Sequence, residues 1–332
     1  MTKPSKHGTD IMRILVTGGT GFFGKSLIRY WQEANQYKPS CTVCVMTRDP
    51  DHFLRNHPEF NKLSWLSFHQ GDILDSLSLP GDQGFTHLIH AATDSTMGPK
   101  LSPLDRYQQI VDGTRNLLDY AVTHRISRFL LTSSGGVYGP QPETMAQMPE
   151  SHWGIPNPLQ AHNAYSVAKR CAEHLCALYQ DRYGLETVVA RCFAFVGRDL
   201  PLDVHFAIGN FIRDALTQPE ITVSGDGTPI RSYMDQRDLA RWLTKLLRFG
   251  RAGEAYNVGS DQAISIRELA HLVRDTIAPR KSVRVIGQVS EQNFRNRYVP
   301  SIQKARVHLG LCLDFSLEVS IKETARFNKS TM

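Results

Sequence analysis

The chain has 332 residues, of which 41% are hydrophobic and 21% charged, with 24 glycines and 17 prolines. This composition excludes collagen-like, coiled-coil and disordered classes and indicates a globular protein long enough to bury a core. The net charge of +6 comes from basic residues that are scattered without the runs that follow a nucleic-acid backbone. We therefore expect no nucleic-acid partner, and the basic surplus suits a small anionic ligand equally well.

Neither a membrane span nor a signal peptide is evident in the sequence. No apolar run reaches the roughly 18 residues of a membrane helix, and the opening MTKPSKHGTD lacks an apolar core. We expect a cytoplasmic protein with no membrane partner, whose six cysteines are free thiols. Cys41 and Cys44 spell C-x-x-C, but they lie within an apolar run that predicts a strand, whereas redox pairs stand at helix starts.

Apolar runs alternate with helical periodicity along the first part of the chain. The run RILVT (13–17) predicts the first strand, and GKSLIRYWQEA after it has the period of a helix. Further strands are predicted in CTVCVMT, LSWLSFHQGD, THLIHAA, RFLLTSS and ETVVARCF, with helices such as RYQQIVDGTRNLLDYAVTH between them. This alternation predicts an α/β fold with a doubly wound parallel sheet that helices cover on both faces.

The second part of the chain is less regular. A Pro-rich stretch at 139–163 separates the fifth strand from a strong helix at 164–183, and its length predicts a functional lid. From about Gly197 onward the alternation loosens, which predicts a smaller C-terminal α/β region packed on the first. The segment LARWLTKLLRF carries an apolar stripe that predicts packing against the core.

A glycine-rich turn joins the first strand to the first helix. Gly18, Gly21 and Gly24 form G-x-x-G-x-x-G in the context of a dinucleotide-binding Rossmann-type fold. Glycines permit a tight turn and a close approach of pyrophosphate, which then binds amide N–H groups at the positive end of the helix. A plain helix-capping turn is the alternative interpretation. Phe22 and Phe23 within the turn are also predicted to bind the cofactor.

The end of the second strand bears on the choice of cofactor. Folds that prefer NAD place an acid there for the ribose hydroxyls, whereas this sequence reads Val45-Met46-Thr47-Arg48. An arginine would pair with the 2′-phosphate of NADP, which a carboxylate would repel. We predict NADP as the preferred cofactor, and the adjacent Asp49 leaves NAD open.

Three residues predict a catalytic centre. Tyr165 and Lys169 lie four residues apart on the strong helix and therefore on one face. A phenol whose pKa is lowered by a nearby ammonium can move a proton while a hydride moves at a nicotinamide. Ser134 ends the fifth strand, where a parallel sheet gathers ligands. A Y-x-x-x-K pair alone is common on protein surfaces, so the prediction depends on the three residues together.

With these elements in order, the chain resembles the extended short-chain dehydrogenase/reductase family, in particular its nucleotide-sugar branch, over nearly its whole length. The resemblance implies that Asp72 and Ile73 of GDI contact the adenine, and that Ala91 and Ala92 of HAA flank the cofactor. It implies catalysis by the triad within SSGGVYG and YSVAK. A homodimer and a surface-polysaccharide or antibiotic sugar pathway are also implied.

The same resemblance implies the substrate contacts. Arg231 in GDGTPIRSYMDQRDLA and Arg297 in RNRY are implied to hold the diphosphate of a nucleotide sugar, and YNVG (256–259) resembles a substrate-domain signature. Thr93 and Ser95, just after the cofactor strand, are candidate sugar contacts from their position alone. The implied organisation is a dinucleotide-binding domain at 12–196, to which a segment at about 228–260 returns, and a mainly substrate-binding region at 197–332.

Departures from the family pattern narrow the reaction. The sugar-nucleotide 4,6-dehydratases carry an Asp-Glu pair where this chain has Gly135 and Gly136, so dehydration is disfavoured. The asparagine expected three residues after Arg191 is Ala194, and the asparagine of N-x-x-G-T is Ile110. Substrate contacts near Arg191 are therefore not carried over from the family.

The leading functional hypothesis is an NADP(H)-dependent reductase of a nucleotide-linked 4-keto-6-deoxyhexose, with Ser134, Tyr165 and Lys169 as its triad. The alternative is a nucleotide-sugar 4-epimerase with tightly bound NAD, in which the same triad serves. A 4,6-dehydratase and a noncatalytic dinucleotide sensor are weaker alternatives. The thirteen histidines are spread singly without a metal spacing, so no metal site is expected.

Overall fold

A computed structural model of the protein describes residues 11–35, 41–93, 100–204, 206–288 and 296–329. The first half of the chain builds most of a parallel sheet and the helices that cover it. Its elements are β1 Met12–Thr17, α1 Phe22–Asn35, β2 Cys41–Thr47, α2 Pro50–Asn56, β3 Leu66–Gln70, β4 His87–His90, α3 Pro103–Thr123, β5 Arg128–Ser134, α4 Ala164–Tyr183 and β6 Glu186–Cys192.

The second half contributes shorter strands and five further helices among the described residues. Its elements are β7 Phe195–Val196, α5 Ala207–Thr217, β8 Ile221–Val223, β9 Ile230–Arg231, β10 Met234–Asp235, α6 Gln236–Phe249, β11 Ala255–Val258, β12 Ile264–Ser265, α7 Ile266–Ile277, β13 Val283–Val285, α8 Gln303–Leu309 and α9 Leu317–Lys329. Among these, β11 returns to the main sheet beside β6.

The main sheet has seven parallel strands in the order β11-β6-β5-β4-β1-β2-β3. The chain runs from β1 outward to β3 and then crosses back to β4, so the winding reverses between β1 and β4. In open α/β sheets, ligands bind at such a reversal, beyond the carboxyl ends of the strands. The predicted α/β fold with a doubly wound parallel sheet and a smaller C-terminal region is confirmed.

Helices cover both faces of this sheet, because strands buried on two sides need apolar partners on each. Helices α1 and α6 lie together on one face, and α3 and α4 lie together on the other. The predicted stripe of α6 packs inward, with Trp242 and Leu243 fully buried. Cys41 and Cys44 are buried within β2, as the strand prediction requires. In the described ranges, no helix combines the length and apolar character needed to cross a bilayer.

The C-terminal region has its own apolar core, which α5, α7 and α9 form together with the parallel pair β8 and β13. Ile212, Leu269 and Ile321, one from each helix, are fully buried there. Phe22 at the start of α1 packs against this core, which joins the region to the main sheet near the glycine-rich turn.

The Pro-rich stretch at 139–163 is fastened to the rest of the protein. Met148 exchanges backbone hydrogen bonds with Val299 and Ser301, each of 2.8 Å. The buried Asn257 amide donates to the carbonyls of Met148 (2.8 Å) and Ser301 (3.0 Å), and it accepts from the Tyr138 hydroxyl (2.8 Å). The stretch is therefore hydrogen-bonded to distant segments of the chain through Met148. The prediction of a lid is wrong for this middle part.

Candidate active site

The glycine-rich turn brings backbone against backbone at the winding reversal. Gly18 has φ +73°, and a Cβ built on it would lie 2.5 Å from the carbonyl of Ala91 at the end of β4. A Cβ on Gly24 would lie 2.1 Å from Cα of Gly19, so α1 begins in direct contact with the turn. The Gly21 amide donates to the Gly18 carbonyl at 3.1 Å. A turn this close leaves room for a pyrophosphate at the helix start.

A cavity of about 900 Å³ lies beyond the carboxyl ends of the strands. Its volume is in the upper range for ligand cavities, which fits a dinucleotide lying beside a substrate. Most of the residues predicted to bind cofactor or substrate line it: Gly18, Gly21, Phe22, Phe23, Arg48, Asp72, Ile73, Ala91, Ala92, Thr93, Ser134, Tyr165, Lys169 and Arg231. Gly24 faces Gly19 instead, and Ser95 lies outside the described residues.

The end of the cavity near β2 separates the roles of Arg48 and Asp49. Arg48 is exposed and lines the cavity. Asp49 is the N-cap of α2, and its carboxylate accepts the His52 amide at 2.8 Å. A capping carboxylate satisfies a backbone donor at the helix start and is held there. Arg48 therefore lines the cavity at the end of β2, whereas the neighbouring Asp49 caps α2.

Lys169 is held at the floor of the cavity by two acceptors. Its ammonium donates to the Thr93 hydroxyl and to the Thr132 carbonyl, each at 2.7 Å. The side chain is 2% exposed, and this burial lowers the lysine pKa to about 8. The Thr93 hydroxyl, a candidate sugar contact, thus accepts a hydrogen bond from Lys169.

Tyr165 and Ser134 meet in the same space. Burial raises the pKa of Tyr165, whereas a hydrogen bond with Ser134 and the nearby charge of Arg106 lower it. The prediction that the Tyr165 pKa is lowered is therefore wrong, because it counted the lysine charge and not the loss of water. The Ser134 hydroxyl accepts the Gly136 amide at 3.1 Å, which fixes it at the start of the turn after β5.

Neighbouring side chains crowd the two glycines after Ser134, so a carboxylate at either position would have to displace them. A Cβ on Gly135 would lie 2.6 Å from the Phe193 ring and 2.7 Å from the Tyr298 hydroxyl. A Cβ on Gly136 would lie 2.6 Å from Oγ of Ser166. Phe193 and Tyr298 pack against each other with ring centroids 4.5 Å apart and ring planes tilted by 35°, and both line the cavity. At the two positions where the resemblance places the acidic pair of dehydratases, the space is therefore occupied by Phe193, Tyr298 and Ser166.

Two side chains of this site were absent from the sequence predictions. The Tyr298 hydroxyl lies 3.5 Å from Oγ of Ser134. Arg106, in the first turn of α3, places its guanidinium 4.2 Å from the centre of the Tyr165 ring. Tyr298 adjoins the Arg297 of the RNRY motif, which offered a signal, whereas the periodicity of α3 marks Arg106 only as one more polar helix residue.

The structure treats the two predicted diphosphate arginines differently. Arg231 lines the cavity, and its guanidinium donates to the carbonyls of Ile230 (2.9 Å) and Asn296 (2.8 Å). Arg297 forms a β-bridge with Ile230, and its guanidinium donates to the Ala146 carbonyl at 3.3 Å. In the part of the chain that the structure describes, Arg297 does not belong to the cavity wall.

The buried His90 joins β1 to α3 near Ile110, the residue that departs from the family pattern. Nδ1 of His90 lies 2.9 Å from the Thr17 hydroxyl, and Nε2 lies 3.2 Å from the Thr114 hydroxyl. Thr114 donates its own proton to the Ile110 carbonyl at 2.6 Å, so it accepts from His90. Burial lowers the His90 pKa to about 3, which keeps the ring neutral and ties β1, β4 and α3 together.

Comparisons with known proteins identify the family of the chain. The sequence profile of the "NAD dependent epimerase/dehydratase family" matches residues 14–259. UDP-glucuronic acid decarboxylase 6 of Arabidopsis thaliana is 30% identical over 312 residues, which cover 92% of this chain and 85% of that protein. DesIV, a dTDP-glucose 4,6-dehydratase from Streptomyces venezuelae solved with NAD and TYD bound, is 26% identical with a TM-score of 0.82 and covers 96% of this chain and 97% of its own.

RMD from Pseudomonas aeruginosa, solved in complex with NADPH, is 27% identical with a TM-score of 0.78 and covers 97% of this chain and 100% of its own. The chain belongs to the NAD-dependent epimerase/dehydratase family, in the nucleotide-sugar branch of the extended short-chain dehydrogenases/reductases. It is an enzyme that modifies a nucleotide sugar with NAD or NADP as cofactor.

Proposed function

We propose that the protein reduces the ketone of a nucleotide-linked 4-keto-6-deoxyhexose with NADPH. The observation that carries this proposal is the pairing of a Ser134–Tyr165–Lys169 centre with Gly135 and Gly136, which supply no carboxylate and are crowded by neighbouring side chains. Such a site can move one hydride and one proton. It lacks, at those two positions, the additional acid and base that eliminating water needs.

The proton half of the reaction follows from the residues. The bound dinucleotide supplies the hydride that reaches the ketone carbon. As the carbonyl oxygen gains negative charge, the Tyr165 phenol donates its proton to it, and the Ser134 hydroxyl donates a hydrogen bond. The buried Lys169 ammonium, fixed by Thr93 and Thr132, adds positive charge to the same site. The product is an alcohol at the former ketone carbon.

The preference for NADPH is supported by the environment of Arg48. Arg48 lines the ligand cavity, and the neighbouring Asp49 carboxylate caps α2. A guanidinium pairs strongly with a phosphate through charge-assisted hydrogen bonds. The 27% identical RMD structure contains NADPH, which fits the same preference. A reductase also consumes its cofactor at each turnover, and the reduced form of NADP suits that use.

Arg231 and the relatives support a sugar nucleotide as the substrate. The relatives are named for UDP-glucuronic acid and dTDP-glucose, both of which carry a diphosphate. Arg231 is a half-buried cation on the wall of the cavity, where it can form charge-assisted hydrogen bonds to phosphate oxygens. Its two carbonyl contacts leave other guanidinium donors for a ligand.

A second candidate is a reaction without net reduction, in which the hydride returns to the same substrate. A 4-epimerase works in this way, and the 30% identity to a decarboxylase, whose named reaction also consumes no reductant, favours this class. The same triad serves such chemistry. The two candidates differ in their cofactor, because an enzyme that recycles its hydride keeps NAD bound, whereas a reductase exchanges NADP.

The deciding experiment mixes the purified protein with NADPH and a panel of dTDP- and CDP-linked 4-keto-6-deoxyhexoses and follows NADPH absorbance. We expect one NADPH to be oxidised per sugar reduced. Tyr165→Phe should lower the rate by at least about 100-fold. Tyr183→Phe, which removes an exposed hydroxyl near the end of the same helix, is the matched control and should leave the rate unchanged. No oxidation with any sugar, together with NAD released when the protein is denatured, would favour the epimerase.

A further inference from the structure

Arg106 is a charged side chain in the reaction cavity to which the Ser134–Tyr165–Lys169 centre assigns no role. It lies in the first turn of α3 and lines the cavity. Its guanidinium lies over the Tyr165 ring, with the central carbon 4.2 Å from the ring centroid. A cation over an aromatic face interacts with the whole ring, and the interaction strengthens when water is excluded.

The Lys169 ammonium is bonded to groups other than Tyr165, so the contact between Arg106 and the Tyr165 ring has to be considered separately. The ammonium is committed to the Thr93 hydroxyl and the Thr132 carbonyl, and both distances are 2.7 Å. These acceptors hold the lysine at the floor of the cavity, beside β4 and β5. Arg106 belongs to α3, the helix next to the α4 helix that carries Tyr165 and Lys169, and it contacts the Tyr165 ring itself.

We propose that Arg106 is a positioning residue that orients the Tyr165 ring and stabilises its ionised form, and so sets the strength of the proton donor. The proposal rests on the proposed function, in which Tyr165 gives up a proton. When the phenol loses that proton, negative charge spreads from the oxygen into the ring, toward the guanidinium. The attraction between Arg106 and Tyr165 is therefore stronger after proton transfer than before it. An interaction that strengthens during the reaction accelerates the proton transfer.

Several other groups face Tyr165 and act on the same equilibrium. The Ser134 hydroxyl hydrogen-bonds the phenol and favours its ionised form. The Cys192 thiol at the end of β6 disfavours that form, and the Tyr298 phenol interacts with Tyr165 across the cavity. Lys169 lies one turn further along α4. Arg106 differs from these groups in contacting the face of the ring, so its removal leaves their contacts with the tyrosine in place.

The test is a titration of the Tyr165 phenol itself, which needs no substrate. Protein labelled with ¹³Cζ-tyrosine is titrated by NMR from about pH 8 to about pH 12.5, the pH at which the Tyr165 signal begins to shift is compared between variants, and that signal is assigned by its loss in Tyr165→Phe. Arg106→Gln should raise the Tyr165 pKa by roughly one pH unit, and Arg106→Lys should restore most of the difference. Arg115→Gln removes an exposed arginine from the same helix and should leave the pKa unchanged.

Arg106→Met, which keeps an apolar stem of similar length, gives the same readout should Arg106→Gln fail to fold. An unchanged Tyr165 pKa in either folded uncharged variant overturns the proposal. If sugar reduction is found, its rate is lost as pH rises through the Tyr165 pKa. That loss should move to higher pH in Arg106→Gln, and the rate below it should fall because a weaker acid donates less readily. A shifted pKa without NADPH oxidation by any sugar would refute the proposed function and leave this proposal standing.

Discussion

Lys169→Met should change how the stability of the protein depends on pH. The Lys169 ammonium is almost completely buried, and its pKa falls from 10.5 to about 8. A lysine whose pKa is lower in the folded protein than in the unfolded chain binds its proton more weakly in the folded protein. It therefore destabilises the fold at every pH at which the unfolded chain holds that proton. The destabilisation is therefore complete below pH 8, and it fades as pH rises toward 10.5.

The magnitude follows from the two pKa values. Each pKa unit corresponds to about 1.4 kcal/mol, so the buried ammonium lowers the free energy of unfolding by about 3 kcal/mol at neutral pH. Between about pH 7 and about pH 10, some 2 to 3 kcal/mol of this destabilisation disappears. Methionine keeps the length of the side chain without a charge, so Lys169→Met should lack this pH dependence.

The measurement is urea unfolding of wild type and Lys169→Met at both pH values. The quantity of interest is the change with pH in the difference between the two free energies of unfolding. Hydrogen bonds that the variant loses at both pH values cancel in that comparison. Lys322→Met, which removes an exposed lysine of α9, is the control and should show no such change. A difference for Lys169→Met that is equal at both pH values would refute the reasoning.

Two other substitutions test the cofactor site. Gly24→Ala brings a Cβ to 2.1 Å from Cα of Gly19 and should lower the free energy of unfolding by more than about 2 kcal/mol in urea; Gly81→Ala, where a Cβ meets open space, should change it by less than about 1 kcal/mol. Arg48→Ala should weaken NADPH binding by about tenfold or more in a fluorescence titration and leave NADH binding nearly unchanged, because only NADPH carries the 2′-phosphate. Arg55→Ala, on the exposed face of α2, is its control, and an equal loss for both cofactors would contradict the assignment of Arg48.

Local signals in the sequence were sufficient to predict the strands, the glycine turn and the helix that surround the site. Helix α4 occupies the predicted residues 164–183 because Gly184 takes φ +70° and ends it. The glycine turn was predictable because its spacing, the strand before it and the helix after it are adjacent in the chain. The strands were visible as apolar runs because a parallel sheet buries both faces.

Other features depend on contacts between distant segments, and these could not be predicted. Arg106 reaches Tyr165 only because α3 packs against α4, and no periodicity within α3 records that neighbour. The direction of the Tyr165 pKa was misjudged because desolvation depends on the whole cavity, whereas the charge of Lys169 is visible nearby in the sequence. The stretch at 139–163 looked like a lid because its length is evident and its hydrogen-bond partners, more than a hundred residues away, are not.

The buried Asn257 amide has a consequence for exchanging parts between relatives. It joins Tyr138 and Met148 of one stretch to Ser301 of another, so together with its own strand three distant pieces of chain meet there. Tyr298 enters the cavity from one of these pieces, and Ser134 precedes another. A chimera that took only residues up to 259 from this protein would separate the amide from Ser301 and Tyr298. Substrate preference should therefore transfer between relatives only when 138–150 and 296–301 move together with Asn257.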